Sequence, residues 1–262
     1  MEKYFAFMKL GIKENITYSK WYWTEFLTIV LRILFIIFFW QYLFFTDPNA
    51  FDLSLDIMVN YSVVTILMQS FTFGIGESIS RAIKNGDIVH DLTKPYNTIT
   101  KYIFLNSGSM IMNFIKLTVP TIIVISLVFN AQFLISANIV YSILSIVLGI
   151  MIGIAIDTLI GLLAFTTVSV VGLSLFSGGV LLISSGALVP LTLYPEWFQI
   201  LSQYLPLQYI SYVPAGIYSG IITNNEQIIF YIIVQLFWVM LLFVLIRVIF
   251  KSMQKHVMIF GG

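Results

Sequence analysis

The chain has 262 residues, 59% hydrophobic and only 10% charged, with a formal net charge of +1 and no cysteine. An ordinary soluble domain carries about 25% charged residues, so this composition excludes a water-soluble globule and points to an integral membrane protein. Disulfides, thiolate metal sites and cysteine nucleophiles are excluded as well.

The mean hydropathy of +0.97 says the same, and the apolar residues fall into runs. The first twenty residues, MEKYFAFMKLGIKENITYSK, have neither the continuous apolar core nor the small-residue cleavage site of a signal peptide. On a helical wheel Glu2, Lys9, Lys13 and Lys20 share one face and Tyr4, Phe7, Met8 and Tyr18 the opposite one. Residues 1–24 therefore read as an interfacial helix, either a lipid anchor or an elbow packed on the protein's own spans. Trp21, Tyr22 and Trp23 mark the membrane boundary.

A bilayer core needs roughly 20 apolar helical residues. Six segments qualify: 25–45, 57–77, 114–129, 139–162, 166–189 and 227–250. The fifth is loosened by Gly178, Gly179 and Gly186. The third is open to an earlier start. Between the fifth and sixth, residues 190–220 carry Pro190, Pro195, Pro206 and Pro214 among Trp197, Tyr204, Tyr209, Tyr212 and Tyr218. That mixture suits a re-entrant extracellular segment, since broken backbone at depth needs protein or water around it. The expected fold is an all-α membrane protein in a single transmembrane domain, 1–262.

Lysine and arginine set the orientation. All 13 can be placed on one side: four before the first span, Arg32 snorkelling from within it, Arg81, Lys84, Lys94 and Lys101 between the second and third, Lys116 at the near end of the third, and Arg247, Lys251 and Lys255 at the close of the sixth. The opposite loops hold Asp47, Asp52, Asp56, Glu196 and Glu226. By the positive-inside rule both termini and residues 78–113 are cytoplasmic.

Within that cytoplasmic region, RAIKNGDIVHDLTKPYN has a turn at Asn85-Gly86, an acid at Asp87 to cap a helix, and Pro95 to end it. The short helix presents Ile88 and Leu92 on one face. Apolar residues in a charged connector longer than it needs to be point either to a docked partner or to packing on the protein's own cytoplasmic ends.

The order of these features resembles the permeases of the ABC-2 type export family. GDIVHDLTKPYN resembles the coupling motif of one branch with subunits of this length. LYPEWFQILSQYLPLQYI resembles the proline-aromatic stretch before the last span, and Phe260-Gly261-Gly262 resembles that branch's ending. The resemblance spans the whole chain and implies a cytoplasmic coupling helix docking an ABC ATPase subunit through Asp87, Ile88, His90, Asp91, Leu92 and Lys94. It implies two ATPase copies, a second permease, identical or homologous, and a cell-membrane setting among lipids, with no nucleic acid. ATP and magnesium would be bound by the partner, so the chain itself carries no cofactor and is not an enzyme. No phosphate-cradling Gly-x4-Gly-Lys-Ser/Thr loop is present. Phe73-Gly74-Ile75-Gly76-Glu77 reads instead as a close helix contact or a helix end. The implied function is export of a hydrophobic or amphipathic cargo. The alternatives are a lipid or polysaccharide exporter, or an ATPase-independent channel or intramembrane enzyme.

Other features stand beside this. Asp157 is an acid inside an apolar run, placed either to pair with Lys116 or Arg32 or to cap a helix, or else to act in cargo binding or gating. Gly149 with Gly153, and Ser174 with Gly178, are small-residue faces for packing within the subunit or at a dimer seam. Pro195, Trp197, Pro206 and Tyr209 anchor the re-entrant segment. Asn106, Ser107, Ser109 and Asn113 read as a polar helix surface. His90 and His256 stand alone, with no metal spacing. The aromatic cluster from Phe38 to Phe45 suits a lipid belt or a cargo path.

Overall fold

A computed structural model describes residues 2–17, 22–48, 51–129, 138–166 and 170–257. These form helices, with no strand among the described residues. Five helices are long and apolar enough to cross a bilayer: Tyr22–Thr46, Leu55–Lys84, Thr98–Leu127, Ile139–Phe165 and Asn225–Gln254.

Helix α1 (Glu2–Thr17) precedes α2 (Tyr22–Thr46), which is apolar all round but buries only the stripe Ile29, Ile33, Ile37 and Trp40. Leu31, Phe35, Phe38, Tyr42 and Phe45 are exposed. A helix apolar on its exposed side suits lipid as its solvent; within the cluster Trp40 is the buried member. Its Nε1 donates to Ser62 Oγ at 2.9 Å. Trp40→Phe should lower stability by about 1–2 kcal/mol through the lost bond and volume, read as a drop in melting temperature in detergent.

Helix α3 (Leu55–Thr72) breaks at Phe73-Gly74 and resumes as α4 (Ile75–Lys84). α5 (Asp87–Leu92) follows, then α6 (Thr98–Asn113), which continues through a wide turn at Phe114–Thr118 into α7 (Val119–Phe129). The third long helix thus starts at Thr98, ahead of the expected Phe114. Asn97 explains the start: its side chain accepts from Thr100 N at 3.0 Å as an N-cap.

Helix α8 (Ile139–Leu162) is the central element, and α9 covers Val170–Ser184. Of the fifth expected span, 166–189, residues 167–169 lie outside the described residues, and the 15 helical residues of α9 rise about 22 Å of a bilayer core of about 30 Å. After α9 come α10 (Glu196–Gln203), α11 (Tyr212–Ser219) and α12 (Asn225–Val257).

Apolar burial divides into two clusters. One joins α2 and α3 to the third long helix through Ile33, Val63, Ile66, Leu117 and Ile125. The larger joins α4, α8, α11 and α12 through Ile79, Ile152, Ala155, Val213, Ile217 and Leu242. Tyr61 Oη donates to Gly186 O at 2.6 Å and Thr65 Oγ1 to Ala187 O at 2.9 Å, tying α3 to the turn after α9. Gln235 lies at the centre of the larger cluster. It accepts from Ser145 Oγ at 2.9 Å and donates to Ser145 O at 3.1 Å and Tyr209 O at 3.0 Å.

Residues 190–220 fold back onto this cluster. Leu191, Tyr209, Val213, Ala215 and Ile217 are buried, whereas Pro195 and Trp197 are exposed and Pro206 is half-buried. Of the aromatic anchors, only Tyr209 is taken into the interior.

Candidate functional site

Two junctions bring the sequence-predicted residues together. The first surrounds Asp91. Helix α4 ends at Lys84, and Gly86, at φ +79°, turns the chain into α5, a conformation that costs glycine little. Asp87 occupies the first helical position and no side chain caps that end, so the expected cap is absent, although its charge still complements the helix dipole.

The six-residue helix points Ile88 and Asp91 inward. Ile88 is 1% exposed and belongs to the large apolar cluster, with Leu92 packed against it. Of the two readings of Ile88 and Leu92, packing on the protein's own helices agrees with this geometry. α5 is too short to hold itself in water, so its apolar side is needed for its own anchorage. Asp87, Val89, His90, Thr93 and Lys94 are exposed here.

Asp91 is also turned inward. Lys101 Nζ donates to its two oxygens at 2.6 and 2.7 Å, and Tyr96 Oη and Tyr102 Oη donate at 2.8 Å each. Burial pushes the Asp91 carboxyl up, but these hydrogen bonds and the lysine charge outweigh it and hold the carboxyl below the usual carboxylate value. Burial and the Asp91 hydrogen bond push the Tyr96 phenol up to about 12. The ammonium of Lys101 also lies 5.8 Å from the Phe7 ring and 5.0 Å from that of Tyr102.

Phe7 belongs to α1, which closes over this hub. Its ring meets Tyr96 at 5.2 Å edge-on. Lys3 Nζ donates to Pro95 O at 2.9 Å, and Asn97 N–H donates to Tyr4 Oη at 3.0 Å. α1 then runs along α6. A side chain on Gly108 would strike Met8 O, and one on Gly11 would strike Leu105 O, so the two backbones touch. At the far end Asn15 Nδ2 donates to Asn113 Oδ1 at 3.2 Å, and Lys116 Nζ reaches Asn15 O at 3.3 Å, a cation at a helix C-terminus. α1 is thus an elbow on the protein's own helices, with Phe5, Leu10 and Ile16 exposed on its outer side. Tyr18, Lys20, Trp21 and the terminal Phe260-Gly261-Gly262 lie outside the described residues, as does the side chain of His256. Asn106 and Ser107 bond to the backbone of their own helix.

The second junction is at Asp157. Its Oδ2 accepts from Gly74 N at 3.0 Å and Gly76 N at 2.8 Å. It caps the N-terminus of α4 from across the bundle and satisfies orphan amides where the helix restarts. Gly74, at φ +119°, makes the break. Of the readings weighed for Asp157, capping agrees with this geometry. The expected pairing with Lys116 or Arg32 does not occur, because Lys116 is held by Asn15 and Arg32 Nη2 donates to Gln69 Oε1 at 2.7 Å. Phe73–Glu77 is accordingly a helix break and close contact. Gly161 sits on Gly76, where an added Cβ would lie 2.5 Å from its Cα.

The small-residue faces separate. Gly149 lies under the Tyr209 and Ile210 carbonyls and Gly153 against Thr72, so this pair packs within the subunit. Ser174 is exposed, and nothing lies within 4 Å of a Cβ built on Gly178. That face has no packing role within the described residues. No group of three or more acidic or histidine side chains among them is arranged to hold a metal ion.

Reading of the sequence missed Gln69 and Gln235. Each glutamine was visible as a polar residue inside an apolar run, the same signal that drew attention to Asp157.

An all-helical bundle with several bilayer-length apolar helices and a short helix strapped to one end defines a multi-pass membrane protein. The chain belongs to the ABC-2 transporter family: the family model described as "ABC-2 family transporter protein" matches residues 25–256. It is thus a membrane component of a transport system. No curated protein and no solved structure matches the chain.

Proposed function

We propose that the chain is the permease subunit of an ATP-driven exporter of hydrophobic or amphipathic cargo, with both termini cytoplasmic. It works with a second permease, identical or homologous, and with two ATPase subunits that bind ATP and magnesium. The observation that supports this reading most is the construction of the α5 unit. It is clamped to α1 by Lys3, Tyr4 and Phe7 and to α6 through Asp91, yet it leaves Val89 and His90 exposed beside Asp87 and Lys94. A rigid mount with a free outer face suits force transmission: a push from an ATPase reaches α4, α6 and α1 together. Residues 190–220 serve as the re-entrant segment on the extracellular side, and α9 belongs to the fifth of six spans.

The test is co-purification with the ATPase subunit from the native membrane, comparing the wild-type chain with Val89→Asp and His90→Glu. Both positions are exposed, so each variant should keep its stability within about 0.5 kcal/mol of wild type. Partner recovery should fall about tenfold. Variants that retain the partner and its cargo-stimulated ATP hydrolysis would show that α5 is not the coupling element.

A further inference from the structure

Between α2, α3 and the turn after α9 lies a cavity of about 360 Å³. Its walls are apolar, formed by Leu31, Phe35, Ile66, Leu182 and Leu188. A second cavity of about 200 Å³ shares Arg32, Gln69, Leu182 and Ala187 with it and extends toward Gly178. The two make one groove separating the two apolar clusters, and Arg32 and Gln69 stand where they meet.

The charge of this groove has one sign, carried by Arg32. Ser62 Oγ donates to Met58 O and accepts from Trp40, and Thr28 Oγ1 donates to Thr24 O, so both hydroxyls are engaged. The acceptor oxygen of Gln69 is taken by Arg32, which fixes the amide's orientation. Its Nε2 is left buried with no partner. Arg32 has five N–H donors and no acceptor, and the Gln69 bond is the one shown for it. No acid lines either cavity among the described residues. The groove offers spare donors with a fixed positive charge between apolar walls that open outward at Leu31 and Phe35. Its complement is a group that only accepts, carried on an apolar body.

We infer that this groove binds an amphipathic anion, a carboxylate on a single aliphatic or drug-sized body, with the carboxylate on Arg32 and Gln69 Nε2 and the body along Leu31, Phe35 and Leu182. A volume of about 360 Å³ lies at the small end of ligand sites, which run about 300–1,000 Å³. That favours a single-chain occupant over a whole membrane phospholipid. Describing the occupant as cargo rests on the exporter reading; the binding site itself does not.

The test uses the full chain in phosphatidylcholine nanodiscs without any ATPase, so its outcome is independent of the coupling experiment. The probes are a fluorophore-labelled dodecanoate and its methyl ester, followed by anisotropy with empty nanodiscs subtracted. The acid should bind about tenfold or more tightly than the ester, the usual worth of a charge-assisted bond. Arg32→Gln should abolish the difference and Arg32→Lys should keep part of it. Leu182→Trp, which leaves Arg32 in place and fills the groove, should block both probes. Equal binding of acid and ester, or an acid preference surviving Arg32→Gln, overturns the assignment. So does complete displacement of the probe in phosphatidylglycerol nanodiscs, which would make this a lipid-headgroup site.

Discussion

Asp91→Ala should detach α1 and α5 from the end of the bundle. The carboxylate accepts from Lys101, Tyr96 and Tyr102, and its removal leaves an ammonium and two phenols without their acceptor. Breaking one side of a buried ion pair costs about 3–5 kcal/mol. The Lys101 side chain is 19% exposed, which places this pair near the lower end of that range. The expected signature is faster proteolysis between α5 and α6, a lower melting temperature in detergent, and loss of the ATPase partner although no outward-facing residue has changed. Asp91→Asn keeps one acceptor oxygen and should fall between wild type and alanine. A cycle with Lys101→Met should give a coupling energy of about 1–3 kcal/mol. Additive effects would mean that the pair does not hold the latch.

The pH dependence follows from the same geometry. Asp91 has a lowered folded-state pKa. Its stabilisation is therefore complete above the unfolded value of about 3.9 and is lost as pH falls through the lower folded value. Tyr96 has a raised one. Its contribution is complete below about 10 and is lost as pH rises through about 12. Protease resistance of the α1–α6 contact should be flat between these limits and fail outside them. A midpoint near neutrality would implicate another group.

Gly161→Val should be at least as damaging. Its new side chain would meet backbone, the Gly76 Cα and carbonyl oxygen at 2.5 Å, which cannot rotate away. Overpacking a core costs about 1–3 kcal/mol, occasionally more, and a backbone obstacle puts this substitution at the upper end. Separating α4 from α8 also pulls Asp157 off the Gly74 and Gly76 amides. Asp157→Ala alone should cost about 0.5–2 kcal/mol, the value of a helix cap, and Asp157→Asn less. The check is monodispersity and melting of each variant in detergent. A Gly161→Val protein that melts like wild type would rule out the close crossing.

The outline of this protein was legible in its sequence. Long apolar runs show membrane embedding wherever they fold, because each residue's preference for lipid is nearly independent of its neighbours. The same locality made the Asn85-Gly86 turn and the helix ending before Pro95 readable. The glycines of Phe73–Glu77 were recognised as a helix break or contact, but not what they touch.

Composition and the apolar runs determined that the chain is membrane-embedded and helical, and the resemblance of its motifs pointed to the ABC-2 family. Tertiary structure decided the pairings. Asp157 meets amides 81 and 83 positions away rather than a distant cation. Ile88 turns inward because a six-residue helix must bury its apolar side to persist. α9 ends at Ser184, ahead of a turn at Gly186 that is tied to Tyr61. Charge and hydropathy are properties of single residues, whereas the partner of a buried polar group depends on which helices cross and how closely, and that emerges only when the whole chain has packed.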